Sequence, residues 1–264
     1  MNRRVRTVIR FVAVTIGVYA LVCGLVALAY KPFLFPAPHR TPVTPAGSKT
    51  IESGTAKALR FGPDEAQTTI VFFHGNGELA DDGASLAQPF VAEGWAVYLA
   101  EYPGYGMSAG AAGPSEKRIY EDAEAIVRAT NANNAQLVLM GFSLGTGVAT
   151  EMARRGHGRA IVLLAPYTSI PAVAQRHTPI FPMGLLMRDR FDTISKAPSI
   201  SVPVFVAHGD QDEVVPFDMG ETVAHAFPHG RFEAISGATH MSLFEHDPKL
   251  LSKIIDFVIT TTPI

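Results

Sequence analysis

The chain has 264 residues, 47% of them hydrophobic and 17% charged, with a formal net charge of −2. That charge excludes a general electrostatic attraction to nucleic acid. The single cysteine, Cys23, lies in an apolar N-terminal run, which excludes disulfides, a cysteine metal site and a thiol nucleophile from the rest of the chain.

Residues 11–30 carry no charge, and the ten residues before them hold Arg3, Arg4, Arg6 and Arg10. Twenty apolar residues suffice to span a bilayer, and the arginine excess keeps residues 1–10 on the cytoplasmic side. The expectation is a single-pass membrane anchor with the remaining domain extracytoplasmic, periplasmic if the source is bacterial. Ala27-Leu28-Ala29 also resembles a signal-peptidase site, so a cleaved signal stands as the alternative. The length of the apolar run favours the anchor, and bulky Val22 makes Cys23 a poor lipidation site. Pro32, Pro36, Pro38, Pro42 and Pro45 predict an extended stalk, free of helix, over residues 31–54.

About 220 residues remain, enough for one large α/β domain. Apolar runs predict strands at 69–73, 96–100, 136–140, 160–164, 203–207 and 231–235. Most are continuously apolar, as parallel strands covered on both faces are. Helices are predicted at 79–93, 114–129, 146–155, 219–227 and 248–259. The alternation implies a parallel sheet with ligands at the strand C-termini. Residues 166–201 break the rhythm with five prolines and scattered apolar side chains, and read either as a small lid or as a loop-rich excursion.

Each chemically capable group falls after a predicted strand. Gly141-Phe142-Ser143-Leu144-Gly145 places a serine on a strand-to-helix turn, where its Oγ is lifted from the sheet and the following amides lie at a helix N-terminus. His74-Gly75-Asn76-Gly77 offers a second set of backbone donors, so that the Asn76 and Leu144 N–H groups would face an oxyanion. After the fifth strand, Asp210 and Asp212 both stand where a carboxylate orients a histidine; after the sixth comes His240. Chain order Ser143, Asp, His240 matches that of α/β-hydrolases. His74, Tyr102, Tyr105, Phe142 and Met241 adjoin these motifs and are candidates to line the substrate pocket. His225 and His229 flank Pro228 near a helix end and are not taken as a zinc pair; no metal site is expected, and this chemistry requires no cofactor.

Six segments in order (His74 to Gly77, Glu101 to Ser108, Pro114-Ser115-Glu116, Gly141 to Gly145, His208-Gly209 with Asp212 and Val215-Pro216, and Gly237 with His240) together resemble the Bem46-type branch of the α/β-hydrolase superfamily. That branch includes the membrane-anchored ABHD12-, ABHD13- and ABHD17-like hydrolases. The resemblance runs from about Phe33 onward. It implies an α/β-hydrolase fold over residues 55–264: a mostly parallel eight-stranded sheet with helices on both faces and a small lid, one of whose two unassigned strands is expected near residues 56–60. It also selects Asp212 over Asp210. The chain departs from the branch in having Glu101 where aspartate is common, and Gly-Asn-Gly-Glu in the first oxyanion loop; neither removes a catalytic group. The implied activity is serine hydrolysis of carboxylic esters or thioesters through an acyl-enzyme. Membrane attachment points to a small ester or a lipid as partner. An amidase or peptidase on the same triad, or a non-catalytic binding protein of this fold, are the alternatives.

Overall fold

The computed structural model describes residues 2–261. Its frame is one eight-stranded sheet: β1 (Lys49–Ser53), β2 (Ala56–Phe61), β3 (Thr69–Phe73), β4 (Ala96–Glu101), β5 (Leu137–Phe142), β6 (Ala160–Leu164), β7 (Val204–Gly209) and β8 (Gly230–Ile235). The spatial order is β1-β2-β4-β3-β5-β6-β7-β8. β1 pairs antiparallel with β2 and β2 with β4, while all remaining pairs are parallel. The chain steps from β3 outward to β4 and then back across β3 to β5. The loops after β3 and β5 therefore diverge at a crevice between adjacent strands, where ligands settle in open α/β sheets.

Continuous apolar strands are explained by two covered faces. Val71, Leu139, Ile161 and Val206 point to one side, against helices Glu116–Ala129, Leu144–Arg154 and Phe217–Ala226. Their neighbours Ile70, Val138, Val162 and Phe205 point to the other, against helices Ala84–Ala92 and Leu250–Thr260. Each fully buried Val, Leu, Ile or Phe contributes about 1.5–3 kcal/mol relative to exposure. Helix Glu116–Ala129 starts where Ser115 accepts from the Arg118 N–H and turns Ile119, Ala123, Ile126 and Val127 inward.

Residues 31–54 differ from the sequence expectation in two ways. The prolines after residue 31 do not exclude helix: Lys31–Leu34 forms one turn, because Pro32 occupies the start of that turn, where its missing N–H has no partner to lose. Nor do residues 31–54 stand off as a stalk, since Leu34 and Phe35 are buried in the core, Arg40 pairs with Asp81 and Asp82, and β1 closes the sheet edge. N-terminal to this lies helix Arg3–Ala29, long and apolar enough to cross a membrane.

Residues 166–201 contain three short helices, Ile170–His177, Met183–Leu186 and Thr193–Lys196. The excursion is pinned at its root. Tyr167 donates to the Leu144 carbonyl (3.0 Å), and buried Asp189 accepts from the Tyr30 hydroxyl (2.6 Å) and the Glu116 N–H (2.8 Å).

Candidate active site

Ser143 follows β5 directly, with φ 49° and ψ −117°, a conformation that L side chains rarely adopt. The flanking glycines explain how the turn closes. A Cβ on Gly141 would stand 2.3 Å from the Gly145 carbonyl oxygen, and one on Gly145 would stand 1.9 Å from the Phe73 carbonyl oxygen. Only bare backbone fits at either place. The Ser143 N–H donates to Leu164 on β6 (2.9 Å), and Thr146 caps the Ser143 carbonyl through both its N–H and its hydroxyl. The Leu144–Arg154 helix thus begins at once after the serine, two residues earlier than predicted.

The loops after β7 and β8 bring two more groups to Ser143. His240 Nε2 lies 2.9 Å from Ser143 Oγ, and its Nδ1 lies 2.7 Å from Asp212 Oδ2. Asp212 Oδ1 accepts from the Val214 and Val215 N–H groups, both at 2.8 Å. Burial alone would raise the Asp212 carboxyl, but hydrogen bonds from His208 and His240, the His240 charge and the Val215 N–H outweigh it and hold it well below the usual carboxylate range. Asp210 is occupied elsewhere: it accepts from the Gly237 N–H (2.7 Å) and ties the β7 loop to the β8 loop.

His208 carries no role in the sequence beyond its place in the His208-Gly209 motif. Its Nε2 stands 3.0 Å from the Val215 carbonyl and 3.1 Å from Asp212 Oδ2, so a second imidazole shares the carboxylate that serves His240. Gly220 makes the room, since a Cβ there would meet the His208 ring at 2.1 Å. The available signal is the i, i+4 spacing of His208 and Asp212.

Opposite Ser143 runs the loop after β3. Among the described residues, neither the Asn76 nor the Leu144 N–H donates to another protein group. Three expected pocket residues support this loop from behind instead of lining the cavities beside Ser143. His74 Nδ1 donates to the Gly75 carbonyl (2.7 Å), and its Nε2 stands 3.2 Å from Glu101. The Tyr102 hydroxyl donates to the His74 carbonyl (2.6 Å) and that of Tyr105 to the Asn76 carbonyl (2.9 Å). All three rings are buried because their backbone turns them toward the core, a direction that proximity in sequence does not specify. Burial pushes both phenols up, so they remain donors at any working pH. Glu101, one methylene longer than the common aspartate, also accepts from the Met107 N–H (3.3 Å) and so joins the two loops.

Two cavities meet at the serine and histidine. One, about 210 Å³, is lined by Ser143, Asn76 and Leu144 and by the apolar Tyr30, Phe33, Leu34, Met183 and Met187. The other, about 250 Å³, lies beyond His240, with Phe142 and Met241 in its wall, together with Glu78, Asp82 and Ser85. The arrangement offers a hydroxyl beside a base, a base oriented by a carboxylate, and two amides at the mouth of an apolar hollow. Among the described residues no cluster of three His, Cys, Asp or Glu side chains is placed to hold a metal ion.

Known proteins share this framework. A family model described as serine aminopeptidase, S33, matches residues 64–188, and one described as alpha/beta hydrolase fold matches residues 184–247. The chain is 30% identical over 236 residues to the uncharacterized protein Rv2307c of Mycobacterium tuberculosis, covering 85% of this chain and 81% of that one. It is 31% identical over 170 residues to human alpha/beta hydrolase domain-containing protein 17B, covering 61% of this chain but only 56% of that protein. Among solved structures, a membrane phospholipase A superposes with a TM-score of 0.65 at 16% identity, covering 98% of this chain and 100% of that one. An esterase from Exiguobacterium antarcticum superposes with a TM-score of 0.62 at 17% identity, over 80% of this chain and 99% of that one. At such identities the superpositions speak to the fold alone.

Proposed function

The chain belongs to the α/β-hydrolase superfamily, in its ABHD17-like family, and from that premise we propose that it is a serine hydrolase of carboxylic esters or thioesters. The observation that carries this reading is the hydrogen-bonded series Ser143 Oγ, His240, Asp212, at 2.9 and 2.7 Å, beside two uncommitted amides. In the first half-reaction Ser143 Oγ attacks the carbonyl carbon and its proton passes to His240 Nε2. Asp212 holds the Nδ1–H and stabilises the imidazolium. The Asn76 and Leu144 amides receive the oxyanion; one such donor is typically worth roughly 10²–10³ in rate. Collapse expels the alcohol or thiol, which takes the proton from His240 and leaves an acyl-serine. Water, deprotonated by His240, then repeats the sequence and releases the acid.

The two cavities suit the two halves of such a substrate. The hollow between Leu144 and Met187 accepts the acyl group, and the cavity beyond His240 accepts the leaving group. In this reading residues 166–201 are the lid, and helix Arg3–Ala29 crosses the membrane with its arginines cytoplasmic and the catalytic domain on the other side. Ser143→Ala should abolish labelling by a fluorophosphonate probe together with hydrolysis of short p-nitrophenyl esters. Labelling that survives the substitution would remove Ser143 as the nucleophile.

The aminopeptidase description of one matching model raises a second reading. An aminopeptidase needs a free carboxylate to hold the substrate ammonium. Glu78 and Asp82 in the leaving-group cavity already accept from the Gly75 and Leu79 N–H groups and, for Asp82, from Arg40. Glu78 engages only Oε2 in this way, so the rates on matched ester and amide substrates decide between the two readings.

A further inference from the structure

The tip of the excursion is a ten-residue stretch without charge, residues 178–187, between Arg176 on one side and Arg188 and Arg190 on the other. Several of its apolar side chains face outward: Ile180 is 72% exposed and Leu185 86%. An apolar turn projecting into water is costly for a soluble domain and ordinary for a segment seated in lipid.

Its position along the N-terminal helix points to the same solvent. The Tyr19 hydroxyl donates to the Ile180 carbonyl (2.6 Å), and the Tyr19 ring stacks on Phe181 with centroids 6.5 Å apart. Tyr19 precedes Tyr30, the last residue of the charge-free run, by about three turns, roughly 16 Å of helix rise. A leaflet's hydrocarbon layer is roughly 15 Å deep. A helix that crosses the bilayer therefore carries the tip below the headgroups of the leaflet next to the catalytic domain. Lys31, with its side chain half exposed, then lies at the level of the interface, where a basic side chain anchors well. Arg188 and Arg190 flank the tip on that same side, next to Asp189, which binds Tyr30 and Lys31.

The apolar cavity completes the picture. Tyr30, Phe33 and Leu34, just after the helix, line it together with Met183 and Met187 from the tip and with Ser143. We propose that residues 178–187 are embedded in that leaflet and that the Ser143 cavity takes its acyl chain laterally from the lipid phase. This rests on the reading that helix Arg3–Ala29 spans the membrane.

The test uses the full chain in phosphatidylcholine vesicles, with Cys23→Ser as background and single environment-sensitive fluorophores on Leu185→Cys, Leu21→Cys and Asn133→Cys. Leu21 is an exposed residue of the helix, and Asn133 precedes β5 at the opposite end of the sheet from Ser143. Doxyl-labelled lipids should quench the first two labels and leave the third bright. A quenched label at 21 with an iodide-accessible label at 185 overturns the embedded tip and leaves the anchor standing. Aqueous labels at both positions overturn the anchor itself. As a second measurement, Ile180→Asp with Leu185→Glu should slow labelling of Ser143 by a long-alkyl, vesicle-partitioned fluorophosphonate by about tenfold. Labelling by a short, water-soluble fluorophosphonate should be unchanged. Equal rates for both probes in the variant and the parent protein would contradict lateral delivery.

Discussion

The serine turn and the excursion over it are built on opposite terms. At the turn, neighbouring backbone leaves one residue type for Gly141 and one for Gly145, and Ser143 holds a strained φ, which typically costs on the order of 1–3 kcal/mol, against a hydrogen bond to β6. The excursion has no such constraint at its tip: a Cβ on Gly184 would meet nothing within 4 Å, and Leu185 faces outward. Its order comes from its root, where Tyr167, Asp189 and Lys196 reach helix Leu144–Arg154, Glu116 and Tyr30. The contrast separates two kinds of information. The chemistry rests on positions that tolerate almost no change, whereas the surface that would meet a substrate rests on positions that tolerate a great deal.

A pair of glycine substitutions breaks that contrast most sharply. Gly145→Ala drives a methyl into the Phe73 carbonyl, so soluble yield, thermal transition and fluorophosphonate labelling should all be lost. Gly184→Ala enters open space in a helical turn, and its stability should stay within about 1 kcal/mol of the parent, on the favourable side. Next in size comes Asp212→Asn, which keeps the shape but loses the carboxylate that accepts from His240, His208, Val214 and Val215. Steady-state kinetics should show kcat down by about 10⁴ with KM little changed. The same carboxylate has a pH signature. Its folded pKa is depressed, so its contribution to stability is complete above the ordinary carboxylate pKa of about 4 and is lost as pH falls toward the folded value. Chemical denaturation from pH 7 down to pH 3 should show that loss in the parent protein and a flatter acid limb in Asp212→Asn.

How far each region is legible in the sequence follows from the same physics. β3 and β6 coincide with their predicted bounds because each is a short apolar run buried on every residue. β1 carries no such signal: Lys49–Ser53 is an edge strand with mostly exposed side chains, and its pairing with β2 provides its order. The proximity of Ser143, Asp212 and His240 is readable from chain order, because β5, β7 and β8 deliver them to one end of a parallel sheet. The inward orientation of His74, Tyr102 and Tyr105 is not readable, since a loop residue's direction depends on backbone that only the folded sheet sets. Nor is the docking of Tyr19 on the 178–187 turn, a contact between segments far apart in the chain. Substitution within the cavity beside Ser143 probes this less legible side. Met183→Trp fills part of the hollow beside Ser143 and should lower kcat/KM for octanoyl esters about tenfold or more relative to acetyl esters, with acetyl turnover retained.

The smallest effect expected is at the seam between the two regions. Glu151, buried on helix Leu144–Arg154, accepts from Arg154 and Arg155 and pairs at 3.0 Å with Lys196 of the excursion. Burial would raise its carboxyl, but the hydrogen bonds from Arg154 and Lys196, the Lys196 charge and the Arg155 hydrogen bond bring it down to about 2. Lys196→Met removes that charge, along with the ammonium's hydrogen bond to the Tyr120 hydroxyl and its place 4.7 Å from the Tyr120 ring centre. Because the two arginines remain, the loss should be about 1 kcal/mol, or roughly 2–4 °C in Tm for a domain of this size. The sign of its pH dependence follows from the lowered pKa. The stabilisation is present above the ordinary glutamate value and fades as pH falls toward about 2, so the Tm gap between parent and variant should be full at pH 7 and narrow below pH 4. A gap that is constant across that range would assign the loss to packing on Tyr120 instead of charge. Labelling of Ser143 by a short fluorophosphonate should be unaltered throughout, because the seam holds the excursion to the helix without touching the serine, and a change there would show that the two regions are coupled more tightly than their contacts imply.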